Sequence, residues 1–270
     1  MNNIIANFNQ ILDFAKTYNL PLTKKRGILR EYLQCKILDI LYRQDQSSQI
    51  ILVGGTGLRL TRGIDRFSED LDFDLAGKAV FSKTDGLMRT IIQNLKKENL
   101  SIDFYHNKTS KRNYYELRFK DLLAELSISQ QKQEKLVIKF DFEKFWQKHT
   151  REIFLLNRYG FLANLITVSP DQLLVQKLTA YLKRKQTQAR DIYDVVWLIS
   201  HQAKIDLVFL KNNMAPEGLI QKALKKFQQE KSKLKTFEKR LKPFLINEDY
   251  IDKLDLFPQL VNSLQKSQKH

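Results

Sequence analysis

Apolar residues recur along this chain with two different periods. Between residues 3 and 18 they fall at Ile4, Ile5, Phe8, Ile11, Leu12 and Ala15, the spacing of one helix face. Leu20-Pro21-Leu22 interrupts that pattern. Thr23 is placed to cap a second helix, whose stripe runs through Ile28, Leu29, Tyr32, Leu33, Ile37, Leu38 and Leu41. Ile51-Leu52-Val53 reads as a buried strand, ended by Gly54-Gly55, with Thr56 positioned to cap a short helix carrying Leu58, Arg59 and Leu60. From Glu69 the period becomes two: Asp70, Asp72 and Asp74 point one way, Leu71, Phe73 and Leu75 the other.

Helical spacing returns at Phe81, Leu87, Met88, Ile91, Ile92 and Leu95. Three extended segments follow: 101–106, a longer one over 114–127 with a bend or bulge, and 136–142. In the last, Val137, Lys139 and Asp141 alternate with Ile138, Phe140 and Phe142. Segments 151–159 and 162–168 are extended about a turn at Gly160. Ser169-Pro170-Asp171 is a helix start, and the rest reads as helical: 170–185, 189–201, then amphipathic helices broken near Asn212-Asn213, Pro216, Pro243 and Pro258. This order predicts an α+β fold, a small mixed sheet with flanking helices followed by a C-terminal helical domain, divided as 1–165 and 166–270.

Charge changes the picture. The chain has 270 residues with 46 Lys+Arg against 30 Asp+Glu, a formal net charge of +16, which favours a polyanionic partner, nucleic acid ahead of an anionic membrane. Lys222, Lys225, Lys226, Lys231, Lys233, Lys235, Lys239, Arg240 and Lys242 make one dense basic stretch, either a solvated face or a track for an RNA backbone. A single cysteine, Cys35, excludes an internal disulfide, and its apolar helical setting marks it as core. No apolar run approaches the roughly 18 residues of a membrane span, and the N-terminus lacks a signal-peptide pattern, so the expectation is a cytoplasmic protein with no membrane partner. His106, His149, His201 and His270 show no metal-ligand spacing.

The candidate chemistry lies in residues 51–75. Three acids on one face of an otherwise apolar strand repel one another, and a divalent cation is the simplest resolution. A glycine-rich turn next to an Asp-x-Asp strand offers backbone donors for phosphate and carboxylates for the ion that bridges it, the combination that phosphoryl and nucleotidyl transfer require. The turn is not a P-loop, because GxxxxGK[ST] is missing, and it lacks the third glycine of a dinucleotide fingerprint.

Gly54-Gly55-Thr56 with Leu58-Arg59, followed by Arg66-Phe67-Ser68-Glu69-Asp70-Leu71-Asp72-Phe73, resembles the AbiEii/AbiGii toxin family of the nucleotidyltransferase superfamily, found in bacterial toxin–antitoxin and abortive-infection systems. A second matching segment runs from Gln176-Lys177-Leu178-Thr179-Ala180 to Arg190-Asp191-Ile192-Tyr193-Asp194, with Arg184 between. The resemblance implies an NTP-dependent enzyme using Mg²⁺. Asp70 and Asp72 would hold the metal, with Asp141 as third carboxylate and Glu143 as its alternative, while Asp74 is the solvated end of its strand. Gly54, Gly55, Thr56, Arg59, Ser68, Lys177 and Arg190 would contact the nucleotide. Lys177 would neutralise phosphate, and Asp191 would orient that lysine or the nucleotide; a salt-bridged helix pair of Asp191 with Arg184 or Lys177 is the structural alternative. Asp194 is expected to cap a helix or be structural. The resemblance further implies transfer of NMP to RNA, the tRNA 3′ end, blocking translation in phage defence, and a separate antitoxin protein. Two other functions share these residues: a protein-modifying nucleotidyltransferase or kinase-like enzyme, and a non-catalytic basic RNA- or partner-binding protein.

Overall fold

The structure, a computed structural model, describes residues 3–77, 81–110, 112–213 and 218–266; Pro216 and His270 lie outside them. The chain divides into two compact units: Met1–Gly63, Phe67–Phe145 and Glu152–Thr167 form the first, and Ile64–Arg66, Trp146–Arg151 and Val168–His270 the second.

The first unit opens with α1 (Asn3–Ala6), α2 (Phe8–Thr17) and α3 (Lys25–Tyr42). The helix expected over 3–18 is thus broken at Asn7, yet Ile4, Phe8, Ile11 and Ala15 are all buried. The stripe expected on α3 is buried except for the half-buried Tyr32, and Cys35 is core. Thr23 does not cap α3: the helix follows Lys24, and no side chain caps it. A 3₁₀ turn leads to β1 (Ile50–Val53), then α4 (Gly54–Gly57), which continues as a π turn to Arg62, and β2 (Leu71–Leu75). After these come α5 (Phe81–Lys97), β3 (Ile102–Lys108), β4 (Arg112–Phe119), α6 (Leu122–Glu125) and β5 (Leu136–Glu143). The strand expected over 114–127 ends at Phe119. Asp121 adopts φ 59°, a left-handed geometry that Asp tolerates, and turns the chain so that Leu122 and Leu123 are buried in α6.

The strands form one mixed sheet in the order β1-β2-β5-β4-β3, parallel only between β2 and β5. One face carries Leu71, Phe73, Phe140 and Phe142, packed with α3 and α5. The Phe73 and Phe142 rings stack at 4.8 Å, and full burial of each such side chain contributes on the order of 1.5–3 kcal/mol. β6 (Arg151–Arg158) and β7 (Phe161–Val168) form a separate hairpin. It is tied to the sheet where Thr167 Oγ1 donates to the Leu52 carbonyl at 2.9 Å. Tyr42 also donates to the carbonyls of Ile50 and Ile166, at 3.0 and 3.2 Å.

The second unit is helical: α7 (Pro170–Lys183), α8 (Ala189–Ser200), α9 (Leu207–Asn212), α10 (Leu219–Glu230), α11 (Leu234–Leu241) and α12 (Phe257–Lys266), with 3₁₀ turns over 231–233, 242–244 and 248–256. α7 begins as expected, with Pro170 in its first turn and Ser169 Oγ accepting from the Gln172 amide. Its core includes Leu174, Leu178, Ile192 and Val195, and the Phe257 ring stacks on Phe227 at 4.9 Å. Among the described residues no helix is long and apolar enough to cross a membrane.

Candidate active site

Strand register places the acids. Asp72 is opposite Val53 on one side and Asp141 on the other; Asp74 is opposite Ile51 and Glu143. Residues in register project to one face, so Asp72, Asp74, Asp141 and Glu143 share a face of the β2–β5 pair. Gly54, which leads out of β1, has φ +68°. A Cβ built there would lie 2.8 Å from Asp72 Cγ and 2.9 Å from its Cβ, and closer still to Oδ2. Only glycine permits both the left-handed backbone and a carboxylate resting on the turn.

Hydrogen bonds draw the rest of the motif around that contact. Thr56 is buried inside α4 rather than capping it, because its hydroxyl has another partner: it donates to the Asp70 carbonyl at 2.5 Å. Gln34 on α3, 1% exposed, donates to the Ser68 carbonyl at 3.2 Å and to Thr56 Oγ1 at 3.4 Å. Gly27 is the second close approach, since a Cβ there would be 2.9 Å from the Phe67 ring. Gly54, Gly55, Thr56, Ser68, Asp70 and Asp72 are thereby gathered in one place. Arg59 goes elsewhere: its Nε donates to the buried Glu31 at 2.6 Å.

The acids differ in setting. Asp70 and Asp72 are half-buried. The Asp70 charge adds to burial and to Glu116 in pushing up the Tyr114 hydroxyl, and Tyr114 is in register with Asp141. Asp141 is held by Arg112, Nε to Oδ1 at 2.5 Å with a second contact from Nη2 to Oδ2. Glu143 is pushed above the ordinary carboxylate range by desolvation, then by Asp141 and Asp74, with Arg112 opposing. Asp74 is not the solvated end of its strand. It is 3% exposed, set between Ile51 of β1 and Glu143 of β5 in the strand register. No group of three or more His, Cys, Asp or Glu is gathered as a metal cage among the described residues. The carboxylate seated on Gly54 nevertheless fits a hard divalent ion, since Mg²⁺ is commonly held by one or two carboxylates together with substrate phosphates rather than by a cage of protein alone.

In the second unit, Lys177 on α7 places Nζ 2.8 Å from Asp194 Oδ2. Asp194 lies mid-helix in α8, not at a cap, and also accepts from Arg66, Nε to Oδ1 and Nη2 to Oδ2, both at 2.6 Å. Arg66 and Asp194 are 1% and 0% exposed. Burial raises the Asp194 carboxyl, but Arg66 and Lys177 more than offset it and hold the group at about 2. Asp191 is buried too, and desolvation raises its carboxyl against the pull of Lys177 and Arg184. Its Oδ2 is 3.0 Å from Arg184 Nε but has no hydrogen bond among the described residues. Lys177 is therefore oriented by Asp194, while Asp191 pairs with Arg184. Arg190 lies over the Phe244 ring at 4.9 Å.

The family model for "Nucleotidyl transferase AbiEii toxin, Type IV TA system" matches residues 36–263 of the chain. The chain belongs to the AbiEii toxin family. It is a nucleotidyltransferase, and membership implies an NTP substrate and an antitoxin partner. Two crystal structures from Helicobacter pylori share its fold. JHP933 is 20% identical over 90% of this chain and 95% of its own, with a TM-score of 0.51. A protein assigned by inference as a nucleotidyltransferase is 20% identical over 90% of this chain and 98% of its own, with a TM-score of 0.58. No curated protein matches this AbiEii chain in sequence.

Gln34, Glu31 and Arg66 were not singled out as site residues from the sequence. A faint signal existed for two of them: Glu31 and Gln34 interrupt the apolar stripe of α3, where buried polar groups need partners. Arg66 stood inside the recognised motif, but its partner is 128 residues away.

Proposed function

We propose that this AbiEii protein is a Mg²⁺-dependent nucleotidyltransferase that moves NMP from an NTP to the 3′ end of tRNA and so blocks translation during phage defence. Asp70 and Asp72 would hold the ion, whose chemistry when bound would be to neutralise charge on the triphosphate. Asp141, paired with Arg112, would be the third carboxylate. Gly54, Gly55 and Ser68 would contact phosphate, while Thr56, buried with its hydroxyl on the Asp70 carbonyl, holds the turn to the acidic strand. Lys177, anchored by Asp194, supplies a fixed cation, and Arg190 and Asp191 contact the nucleotide. The acceptor hydroxyl forms a bond to the α-phosphorus as the bond to pyrophosphate breaks, and the hydroxyl proton is lost to solvent.

The observation that carries this reading is the Asp72 carboxylate seated against Gly54, which makes the turn and the acidic strand one built device. The test is incubation of the purified protein with each of the four labelled NTPs and total tRNA. Label in RNA, abolished by Asp72→Ala and by Lys177→Ala with the fold intact, supports it. Full activity in both variants overturns the residue roles. Label in protein bands and none in RNA assigns a protein acceptor instead.

A further inference from the structure

The sheet of the first unit has two faces. One carries the buried phenylalanines, and the other carries the acids. Strand register shows how far that second face extends beyond them. Asp72 is opposite Asp141, Asp141 is opposite Tyr114 on β4, and Tyr114 is opposite Asn107 on the edge strand β3. The neighbouring row runs from Lys139 through Glu116 to Tyr105. All of these side chains therefore project from the same side. At about 4.8 Å per strand, the strand of Tyr114 lies about 10 Å from that of Asp72, and the strand of Tyr105 about 15 Å.

This side is built from rings and planar cations as well as acids. Tyr105 is 43% exposed, and its ring meets that of Tyr114 edge to face at 6.4 Å. Arg112 lies over the Tyr114 ring at 4.9 Å, and Arg118 over the Tyr105 ring at 5.3 Å. Glu116 holds the set in place: it accepts from the Tyr114 hydroxyl at 2.5 Å and from Arg118 Nε at 2.8 Å. A cross-strand tyrosine pair alone does no more than stabilise a sheet. Here rings and guanidinium planes are fixed before any ligand arrives, so stacking on them costs little further entropy. Lys139, exposed on β5, stands between the tyrosine strands and β2. Ring faces, guanidinium planes and a lysine on one open sheet face suit unpaired nucleotides.

We propose that this face seats the 3′-terminal nucleotides of a single-stranded RNA acceptor, with bases stacked on Tyr114 and Tyr105 and Lys139 on a backbone phosphate. The inference rests on the reading that the acceptor is RNA, and it assigns that acceptor a place. The face is continuous with Asp72, so the terminal hydroxyl reaches the acids while the nucleotides before it lie outward along the sheet. The net charge of +16 and the cations set on the rings favour RNA over a protein occupant.

The test is fluorescence anisotropy of a 5′-labelled single-stranded RNA oligonucleotide with the full chain, without NTP, across a salt series. Tyr105→Ala, at an exposed position of the edge strand, and Tyr114→Ala should each raise the Kd about tenfold. Tyr105→Phe should bind as the unsubstituted chain does, because the ring face and not the hydroxyl is used. Lys139→Gln should make the slope of log K against log salt shallower by about 0.7, one phosphate on a single strand. Thermal melts establish that each variant is folded, and NTP affinity, measured separately, should be unchanged in all of them. Unaltered RNA affinity in folded Tyr105→Ala, together with an unaltered slope in Lys139→Gln, overturns the proposal. An equal loss in Tyr105→Phe overturns it too, since stacking would survive that change. Loss of NTP affinity in place of RNA affinity reassigns the rings to the base of the NTP. Asp72→Ala separates the two readings: it should abolish transfer and leave RNA affinity intact. Label transferred only to protein, with RNA affinity still dependent on the rings, would refute the acceptor reading and keep the binding face.

Discussion

Substituting Gly54 by alanine tests the centre of the candidate site, because two separable costs can be worked from its geometry. The first is backbone. At φ +68° an alanine pays on the order of 1–2 kcal/mol for the left-handed conformation. For a chain of this size that lowers the melting temperature by about 2–8 °C. The second is steric. The new methyl would stand 2.8 Å from Asp72 Cγ, inside the 3.0 Å that real Cβ contacts respect, and nearer still to Oδ2. The carboxylate has to give way by on the order of 1 Å, and a displacement of that size at a reacting centre costs about 10²-fold in rate. Gly160→Ala supplies the control. Gly160 has φ +79°, and nothing lies within 4 Å of its would-be Cβ, so it carries the backbone cost alone. Thermal melts and initial rates of labelled-NMP transfer on both variants check the reasoning. The expected result is a similar loss of melting temperature in the two, with transfer falling about 10²-fold only in Gly54→Ala. Transfer as fast in Gly54→Ala as in Gly160→Ala would falsify the placement of Asp72 at the reacting centre.

Asp194→Asn should destabilise the fold by about 3–5 kcal/mol at neutral pH, because Arg66 and Lys177 are left as buried cations without their shared acid; denaturant titration measures it. The Asp194 carboxyl is held at about 2 against an ordinary 3.8, so its contribution is complete above the unfolded value and is lost as pH falls towards 2. Acid unfolding of the native chain should show that loss, and Asp194→Asn should not. Asp191 has the opposite sign. Its carboxyl is raised by burial, so ionisation costs the folded state once pH rises past the ordinary carboxylate range. Asp191→Asn should therefore melt at the same temperature or higher at pH 7 while losing transfer; a clear drop in melting temperature would mean that the Arg184 pair outweighs desolvation. Arg112→Gln frees Asp141 beside Asp72, so the Mg²⁺ concentration for half-maximal transfer should fall, and an unchanged requirement would remove Asp141 from the ligand set.

Several parts of this protein are local matters and can be read directly along the chain. The alternation of β5 follows from the period-2 geometry of a strand, and α7 begins at Ser169-Pro170 because a hydroxyl cap and a fixed proline φ act within one turn. Local reading erred where a residue had a competing long-range partner or a special backbone angle. Thr56 was expected to cap a helix but bonds Asp70 instead; Asp121 turned a strand into a short helix; Asp74 was expected in solvent and is buried.

By itself the sequence determined the order of elements, the α+β class, the mixed glycine and aspartate motif and, through that motif, the family. The element types rest on periods of two to four residues, and the motif on contiguous strings of residues that need no knowledge of what they touch. Tertiary structure alone decided which charges meet. Arg66 with Asp194, Arg59 and Arg158 with Glu31, and Arg112 with Asp141 are pairs separated by 128, 28, 127 and 29 residues. An ion pair across such distances leaves no period in the chain, because any of 46 basic residues can answer any of 30 acids. Burial selects among them: a charge removed from water must find its counter-ion, and the packed fold admits only one arrangement that supplies it.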